Sequence, residues 1–147
     1  MLYPNQFRVN DAWIAFGLNK VPIPTREDGE LRFVALMDAA SCFLLSAVPT
    51  PFASPLSRDD EARGLFQKAW VHKETWPGKL FVADEEPLGI LESYASAIGI
   101  NILHVPLVQL TVFIREAQEE FAEHFGIGKP RGRRISASQI VKARKRV

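Results

Sequence analysis

Three acidic residues, Asp38, Asp84 and Glu120, have the type and placement from which a metal site is built. Asp38 and Asp84 each follow a short apolar run that is typical of a strand, and Glu120 lies on an amphipathic stretch that is typical of a helix. Carboxylate oxygens are preferred ligands of Mg²⁺ and Mn²⁺, and two such ions can assist cleavage or transfer of a phosphodiester. This chemistry requires a fold that brings the carboxylates together.

Apolar, aromatic and β-branched runs predict the strands of that fold at residues 12–16, 31–37, 42–48, 80–83 and 100–105. The second and third runs are separated by only four residues, 38–41, which predicts an antiparallel hairpin. The three prolines within residues 49–55 exclude a central strand or a helix over that segment.

Three amphipathic stretches predict helices at residues 58–73, 88–98 and 107–125. Because the later strands alternate with helices, they are expected to pair in parallel through right-handed crossovers. The predicted fold class is therefore α/β, with a mixed sheet that combines an N-terminal antiparallel hairpin with parallel strands joined by helices.

This order of elements, with Asp38 and Asp84 at strand ends, resembles the ribonuclease-H-like fold in its three-layer arrangement. In detail, residues 31–125 resemble the catalytic core of integrases and transposases, or an uncharacterised bacterial domain of that shape. Residues 38–43, Asp-Ala-Ala-Ser-Cys-Phe, are similar to the Asp-x-x-Ser-x-aromatic start of that core. Thirty-five residues separate Asp84 from Glu120, which is the spacing of the integrase motif.

The resemblance implies a role for each acid in divalent-metal chemistry. Asp38 would bridge two Mg²⁺ or Mn²⁺ ions, and Asp84 and Glu120 would each hold one of them. The activity implied in this way is that of a metal-dependent nuclease or strand transferase, with nucleic acid as its substrate.

Each acid also has a structural interpretation that needs no metal. Asp38 fits a residue that caps the hairpin turn, and Asp84 fits a cap for the following helix. Glu120 fits a solvated charge on the exposed face of the last helix. The sequence leaves both interpretations open.

The charge of the chain is divided unevenly between a body and a tail. Residues 1–127 hold ten basic and seventeen acidic residues, and they are predicted to form one domain with the strand at 12–16 as an N-terminal extension. Residues 128–147, here called the basic tail, hold no acidic residue and are predicted to form a short helix or a disordered segment. The tail is predicted to contact nucleic-acid phosphates through eight basic residues: Lys129, Arg131, Arg133, Arg134, Lys142, Arg144, Lys145 and Arg146.

The cysteine content and the lengths of the apolar runs indicate in which cellular compartment the protein is expected. The single cysteine, Cys42, excludes an intramolecular disulfide framework and fits a reducing compartment. No apolar run approaches the roughly 18 residues of a membrane span, and the N-terminus lacks the pattern of a signal peptide. We therefore expect a cytoplasmic protein without membrane contact.

Two functions follow from these observations. The first is a nucleic-acid-associated domain, extended to a metal-dependent nuclease or strand transferase if the three acids form a site. The second is a catalytically inactive protein-interaction domain that uses the same fold, with the basic tail serving assembly with a protein partner or a second copy of the chain.

Overall fold

The computed structural model describes residues 1–54, 58–86 and 88–125. A short 3-10 helix over Pro4–Gln6 precedes the main elements. In the described part of the chain these elements are β1 (Ala12–Gly17), β2 (Ile23–Pro24), β3 (Glu30–Asp38), β4 (Leu44–Pro51), α1 (Asp59–Lys73), β5 (Lys79–Ala83), α2 (Gly89–Ala97), β6 (Asn101–Val105) and α3 (Leu107–Phe125). The predicted α/β fold class is confirmed by this mixed arrangement.

Strand β1 lies at the centre of the sheet. It pairs with β3 in antiparallel orientation and with β5 in parallel orientation. Beyond β5 lies β6, again parallel, and beyond β3 lies β4, antiparallel, so β4 and β6 form the two edges. All six residues of β1 are buried, as expected for a strand that is covered on both faces.

The helices cover both faces of this sheet and complete a three-layer arrangement. Residues of α1 and α2 pack on the face that carries Trp13 and Val34. Residues of α3 pack on the opposite face, which carries Ile14 and Phe33. The alternation of side chains along each strand therefore builds two separate cores on one sheet.

Local sequence explains why α1 begins and ends where it does. Its first turn carries Asp59, Asp60 and Glu61, whose negative charge is favoured at a helix N-terminus. The helix ends at Glu74, which adopts a left-handed conformation (φ 53°) and donates its backbone N–H to the carbonyl of Trp70.

Three sequence expectations are compared with this architecture: the place of the first strand, the hairpin and the basic tail. The strand predicted as an N-terminal extension is instead the central strand, because both β3 and β5 pair with it. The predicted hairpin is present as β3 and β4, which run antiparallel from Leu31 opposite Pro51 to Met37 opposite Leu44. The basic tail, with its eight predicted phosphate-binding residues and its boundary at 127/128, lies outside the described residues.

None of the helices in the described ranges is long and apolar enough to cross a membrane.

Candidate functional site

Asp38 ends β3, and its carboxylate is engaged in holding the following turn. The residue is completely buried, with 0% of its surface exposed. Its Oδ1 accepts the backbone N–H of Asn10 at 2.7 Å. Its Oδ2 accepts the backbone N–H of Ser41 at 3.0 Å and the Ser41 hydroxyl at 2.7 Å. The spacing of Asp and Ser by three residues therefore produces a capped turn between β3 and β4.

The partner of Asp38 at Asn10 ties this turn to the segment before β1. Asn10 has a positive φ of 68°, a conformation that Asn tolerates better than most residues. Its side-chain Oδ1 accepts the indole N–H of Trp13 at 2.6 Å. Asp38, Asn10 and Trp13 thus form one partly buried hydrogen-bonded chain, and a metal ion on Asp38 would have to displace donors from it.

Asp84 occupies a different environment, an exposed turn after β5. Its backbone N–H donates to the carbonyl of Val105 at 2.8 Å, which extends the pairing of β5 with β6 by one residue. The next residue, Glu85, accepts the backbone N–H of Leu107 at 2.9 Å and so caps the start of α3. Glu86 forms an ion pair with Arg32 of β3.

The Arg32–Glu86 pair lies across the end of β1. A Cβ atom added at Gly17 would approach Arg32 Nε to 2.5 Å, so the guanidinium packs directly against this glycine. Gly17 follows Ala15 by two residues, and Ala15 is paired with Val82, so Gly17 is level with Asp84. The position on the central strand beside Asp84 is therefore occupied by a glycine under an arginine.

The strand register places Asp38 and Asp84 at opposite ends of the sheet. Trp13 is paired with Asp38 on one side and with Leu80 on the other. Asp84 lies four residues beyond Leu80, a displacement of about 13 Å along the strand at roughly 3.3 Å per residue. Two strand spacings add about 10 Å in the perpendicular direction. These two carboxylates therefore cannot share one metal ion in this arrangement.

Glu120 is also remote from Asp84. Helix α3 begins at Leu107, beside Glu85, and Glu120 lies thirteen residues further along it. At 1.5 Å per residue this places Glu120 about 20 Å along the axis from the helix start. Its side chain is exposed and lines a groove together with Glu116.

The residues present do not fit a shared magnesium or manganese site in this arrangement. Across residues 1–54, 58–86 and 88–125, no group of three or more His, Cys, Asp or Glu could hold a metal ion. Asp38, Asp84 and Glu120 are thus not brought together, and their catalytic and metal-binding roles stay predictions from sequence.

A groove beside β4 brings together a different set of side chains. It has a volume of about 1060 Å³ and runs along the outer edge of β4, between α1 on one face of the sheet and α3 on the other. Three large apolar side chains line it while remaining open to solvent: Phe43 (50% exposed), Val71 (75%) and Val112 (49%). Apolar side chains exposed together in one concave surface are typical of a binding site.

The polar residues of the groove have a mixed character. Glu116 and Glu120 come from α3, and Lys68 and His72 come from α1. The ring of His72 contacts Phe43 edge-on at 5.5 Å between centroids. The groove therefore combines an apolar floor with carboxylates along one wall.

Cys42 lies in the same groove and is its one thiol. It adopts a positive φ of 58° in the turn that Asp38 caps. Burial raises the pKa of the thiol, and the negative charges of Asp38 and Glu116 raise it further. Cys42 is therefore held in its neutral form, which is unsuited to a nucleophile.

The groove was missed at the level of sequence, although a signal for it exists. Val71 and Val112 lie outside the apolar stripes that pack α1 and α3 onto the sheet. A β-branched apolar residue off the stripe of an amphipathic helix is a candidate contact for another molecule. Which of these residues share one surface depends on the position of β4, which only the tertiary structure supplies.

No protein-family model matches this sequence, and no curated protein matches it. Solved structures do match its fold. The HTLV-2 integrase catalytic core domain in complex with magnesium matches in its dimeric form with a TM-score of 0.57 and 10% identity, over 92% of this chain and 83% of that one. Its trimeric form matches with a TM-score of 0.53 and 14% identity, over 91% and 82% of the two chains.

A chain of the simian T-cell lymphotropic virus intasome in complex with PP2A regulatory subunit B56 gamma matches with a TM-score of 0.56 and 12% identity. That match covers 91% of this chain and 46% of the other, so this chain spans less than half of its length. The predicted ribonuclease-H-like fold, of the kind found in retroviral integrase catalytic cores, is confirmed by these likenesses. At such identities the likeness concerns the fold alone.

Proposed function

We propose that this domain is a protein-interaction domain built on the ribonuclease-H-like fold, and that the groove beside β4 binds an apolar segment of its partner. The observation that carries the proposal is the exposure of Phe43, Val71 and Val112 in one groove of about 1060 Å³. Burying three such side chains on binding would contribute a few kcal/mol, at about 25 cal/mol per Å² of apolar surface.

The backbone of β4 supports the same proposal. Within the described ranges, β4 pairs with β3 on one side and with no strand on the other. An edge strand of this kind can accept an added strand or support a helix that packs beside it. Pro49 and Pro51 lack N–H donors, so the part of the edge able to pair is Leu44–Val48, next to Phe43.

The charge of the groove indicates which segments it would prefer. Glu116 and Glu120 line one wall, and Glu119 and Glu123 are exposed on the same helix. A partner segment that combines apolar side chains with Lys or Arg would satisfy both the floor and this wall. An acidic apolar segment would be repelled.

A photo-crosslinking amino acid placed at Val71 tests this function in the native host. The matched control is the same amino acid at Val21, which is 50% exposed and does not line the groove. The expected result is a discrete adduct with another protein from position 71 only. An identical adduct pattern from both positions, or none from either, would remove the proposed function.

A second candidate function is nucleic-acid association through the basic tail. It is favoured by the eight basic residues in a segment without acidic ones. Such a segment would bind DNA or RNA without sequence preference, with affinity that falls steeply as salt rises. The acidic body would oppose this binding elsewhere.

Fluorescence anisotropy with labelled DNA and RNA at several salt concentrations tests the second function. Substituting Arg131, Arg133 and Arg134 by Gln is expected to weaken binding. The slope of the logarithm of the binding constant against the logarithm of salt concentration should become shallower by about one for each lost phosphate contact. The control substitutes three exposed basic residues of the body, Arg8, Lys20 and Arg26, by Gln. Equal loss in both triple variants would contradict binding by the tail.

The catalytic form of this second function has a separate test. Wild-type protein and the variant Asp84→Asn are incubated with labelled DNA or RNA in Mg²⁺ or Mn²⁺. Asp84 is the suitable position because it is exposed, whereas substitution of buried Asp38 would also disturb the turn. Product formed by the wild type and lost in the variant would support phosphodiester cleavage; product at equal rates would assign it to a contaminant.

A further inference from the structure

The groove and the basic tail are adjacent in the chain. His124 lines the groove and lies one residue before the end of α3 at Phe125. The next residues along the sequence lead directly into the basic tail. The sequence that follows α3 therefore starts beside the groove.

The charge at this end of α3 is unfavourable for an isolated helix. Four exposed glutamates, Glu116, Glu119, Glu120 and Glu123, lie in its second half. A helix C-terminus carries a partial negative charge, so these carboxylates repel both it and one another. A segment with several Lys and Arg residues would offset this repulsion.

The sequence of the tail has the features that such a segment needs. Ser136 and Gln139 form a capping-box pattern that predicts the start of a helix. Helical spacing would place Ala137, Ile140 and Val141 on one face, with basic residues around it. Ile140 lies fifteen positions after Phe125, and a chain of that length spans up to about 50 Å when extended.

We propose that the basic tail docks in the groove of its own chain, with Ile140 and Val141 on the apolar floor and its basic side chains near the glutamates of α3. This inference rests on the proposed function, since it treats the tail as the occupant that the groove holds when no partner is bound. The tail then competes with a protein partner, and its release exposes the binding surface.

Cys42 provides a test in the purified full chain, because it lies in the groove and is the single cysteine. The rate of thiol labelling by a maleimide is measured for wild type and for the variant Ile140→Asp/Val141→Asp. The expected result is a labelling rate about tenfold higher in the variant, which corresponds to a tail docked roughly nine times in ten.

The control variant is Ser138→Asp/Ala143→Asp, which adds the same charge away from the predicted apolar face. It is expected to label much more slowly than the Ile140/Val141 variant. Equal rates in the wild type and the Ile140/Val141 variant would overturn the proposal, as would equal increases in both variants. Urea unfolding of each protein shows whether the body remains folded during labelling.

A second readout maps the docked segment. The photo-crosslinker at position 71 in the purified chain is expected to form an intramolecular adduct with a peptide from residues 129–147. An adduct between two chains, with protection of Cys42 that increases with protein concentration, would overturn docking on the same chain and assign the tail to a second copy.

The two proposals fail in different ways. The purified chain contains no partner, so unprotected Cys42 and no adduct to the tail would end self-docking alone. Crosslinking in the host would then still decide whether the groove binds another protein. Self-docking without any partner adduct in the host would end the proposed function instead.

Discussion

Asp38 and Asp84 occupy similar sequence contexts, since each follows an apolar strand, yet their environments in the fold differ in burial and in hydrogen bonding. Asp38 is buried and accepts three hydrogen bonds that close the β3–β4 turn. Asp84 is exposed in a turn whose other two acids, Glu85 and Glu86, bind Leu107 and Arg32. A strand-end carboxylate becomes structural when donors from two segments converge on it, and this is visible only after folding.

The largest expected effect follows from removing the buried acid. Asp38→Ala would remove the acceptor of three hydrogen bonds from Asn10 and Ser41 in a partly buried turn, at a cost of about 3 kcal/mol in the free energy of unfolding. Urea denaturation measures this loss. Asp38→Asn keeps one of the two acceptor oxygens and is expected to lose less; a near-neutral Asp38→Ala would contradict the structural role.

The next largest loss of stability is expected from breaking the Arg32–Glu86 ion pair near Asp84. Glu86→Ala removes the counter-charge of Arg32, whose side chain is only 16% exposed and whose Nε has no hydrogen-bond partner among the described residues. A loss of about 1–2 kcal/mol in unfolding free energy is expected for such a partly buried pair. A double-mutant cycle with Arg32→Met isolates the coupling, and additive losses would show that the pair contributes nothing.

The helix cap formed by Glu85 is expected to contribute less to the free energy of unfolding than the Arg32–Glu86 ion pair. Glu85→Gln keeps an oxygen for the N–H of Leu107 but removes the charge that favours the N-terminus of α3. The expected cost is about 0.5 kcal/mol, and it should shrink at high salt. Thermal unfolding at low and high ionic strength checks both statements; a cost that does not respond to salt would argue against a charge effect.

A kinetic measurement at Cys42 extends the comparison to the charges around the groove. Burial, then Asp38, then Glu116 raise the pKa of this thiol. Since the thiolate is the reactive form, the pH at which alkylation becomes fast should lie above that of a free cysteine, and Glu116→Gln should lower it. Glu119→Gln is the control on the same helix. An equal shift in both variants would exclude a specific effect of Glu116.

The smallest expected effect belongs to Asp84 itself. Asp84→Ala removes an exposed side chain from a turn held by its backbone, so the unfolding free energy should change by no more than about 0.5 kcal/mol. The contrast with Asp38→Ala in the same denaturation experiment is the direct measure of the difference between the two acids. Comparable losses would mean that Asp84 has a structural role not seen in its contacts.

Local structure was predicted well because it depends on nearby residues. The last helix was predicted over residues 107–125 and is observed as Leu107–Phe125, since its apolar residues recur at helical spacing. The first long helix was predicted to begin at residue 58 and begins at Asp59. The hairpin of β3 and β4 followed from two strand-like runs and a short turn.

The predicted site depended on longer-range information. The sequence placed Asp38 and Asp84 at the ends of two strands. It did not show whether those two strand ends lie at the same edge of the sheet or at opposite edges. Because β3 runs antiparallel to β1 and β5 runs parallel to it, the carboxyl ends of β3 and β5 point in opposite directions. Two strand-end acids are therefore separated by the sheet itself.

The amino-acid sequence by itself determined the elements and the α/β class, because periodicity, turns and caps act over a few residues. The order of those elements also carried the resemblance to the ribonuclease-H-like fold. Tertiary structure alone decided that β1 is central and that the Asp38 carboxylate is hydrogen-bonded within its turn. It also decided that Phe43, Val71 and Val112 share a groove. These outcomes depend on strand pairing between distant segments, and no local pattern encodes which strands become neighbours.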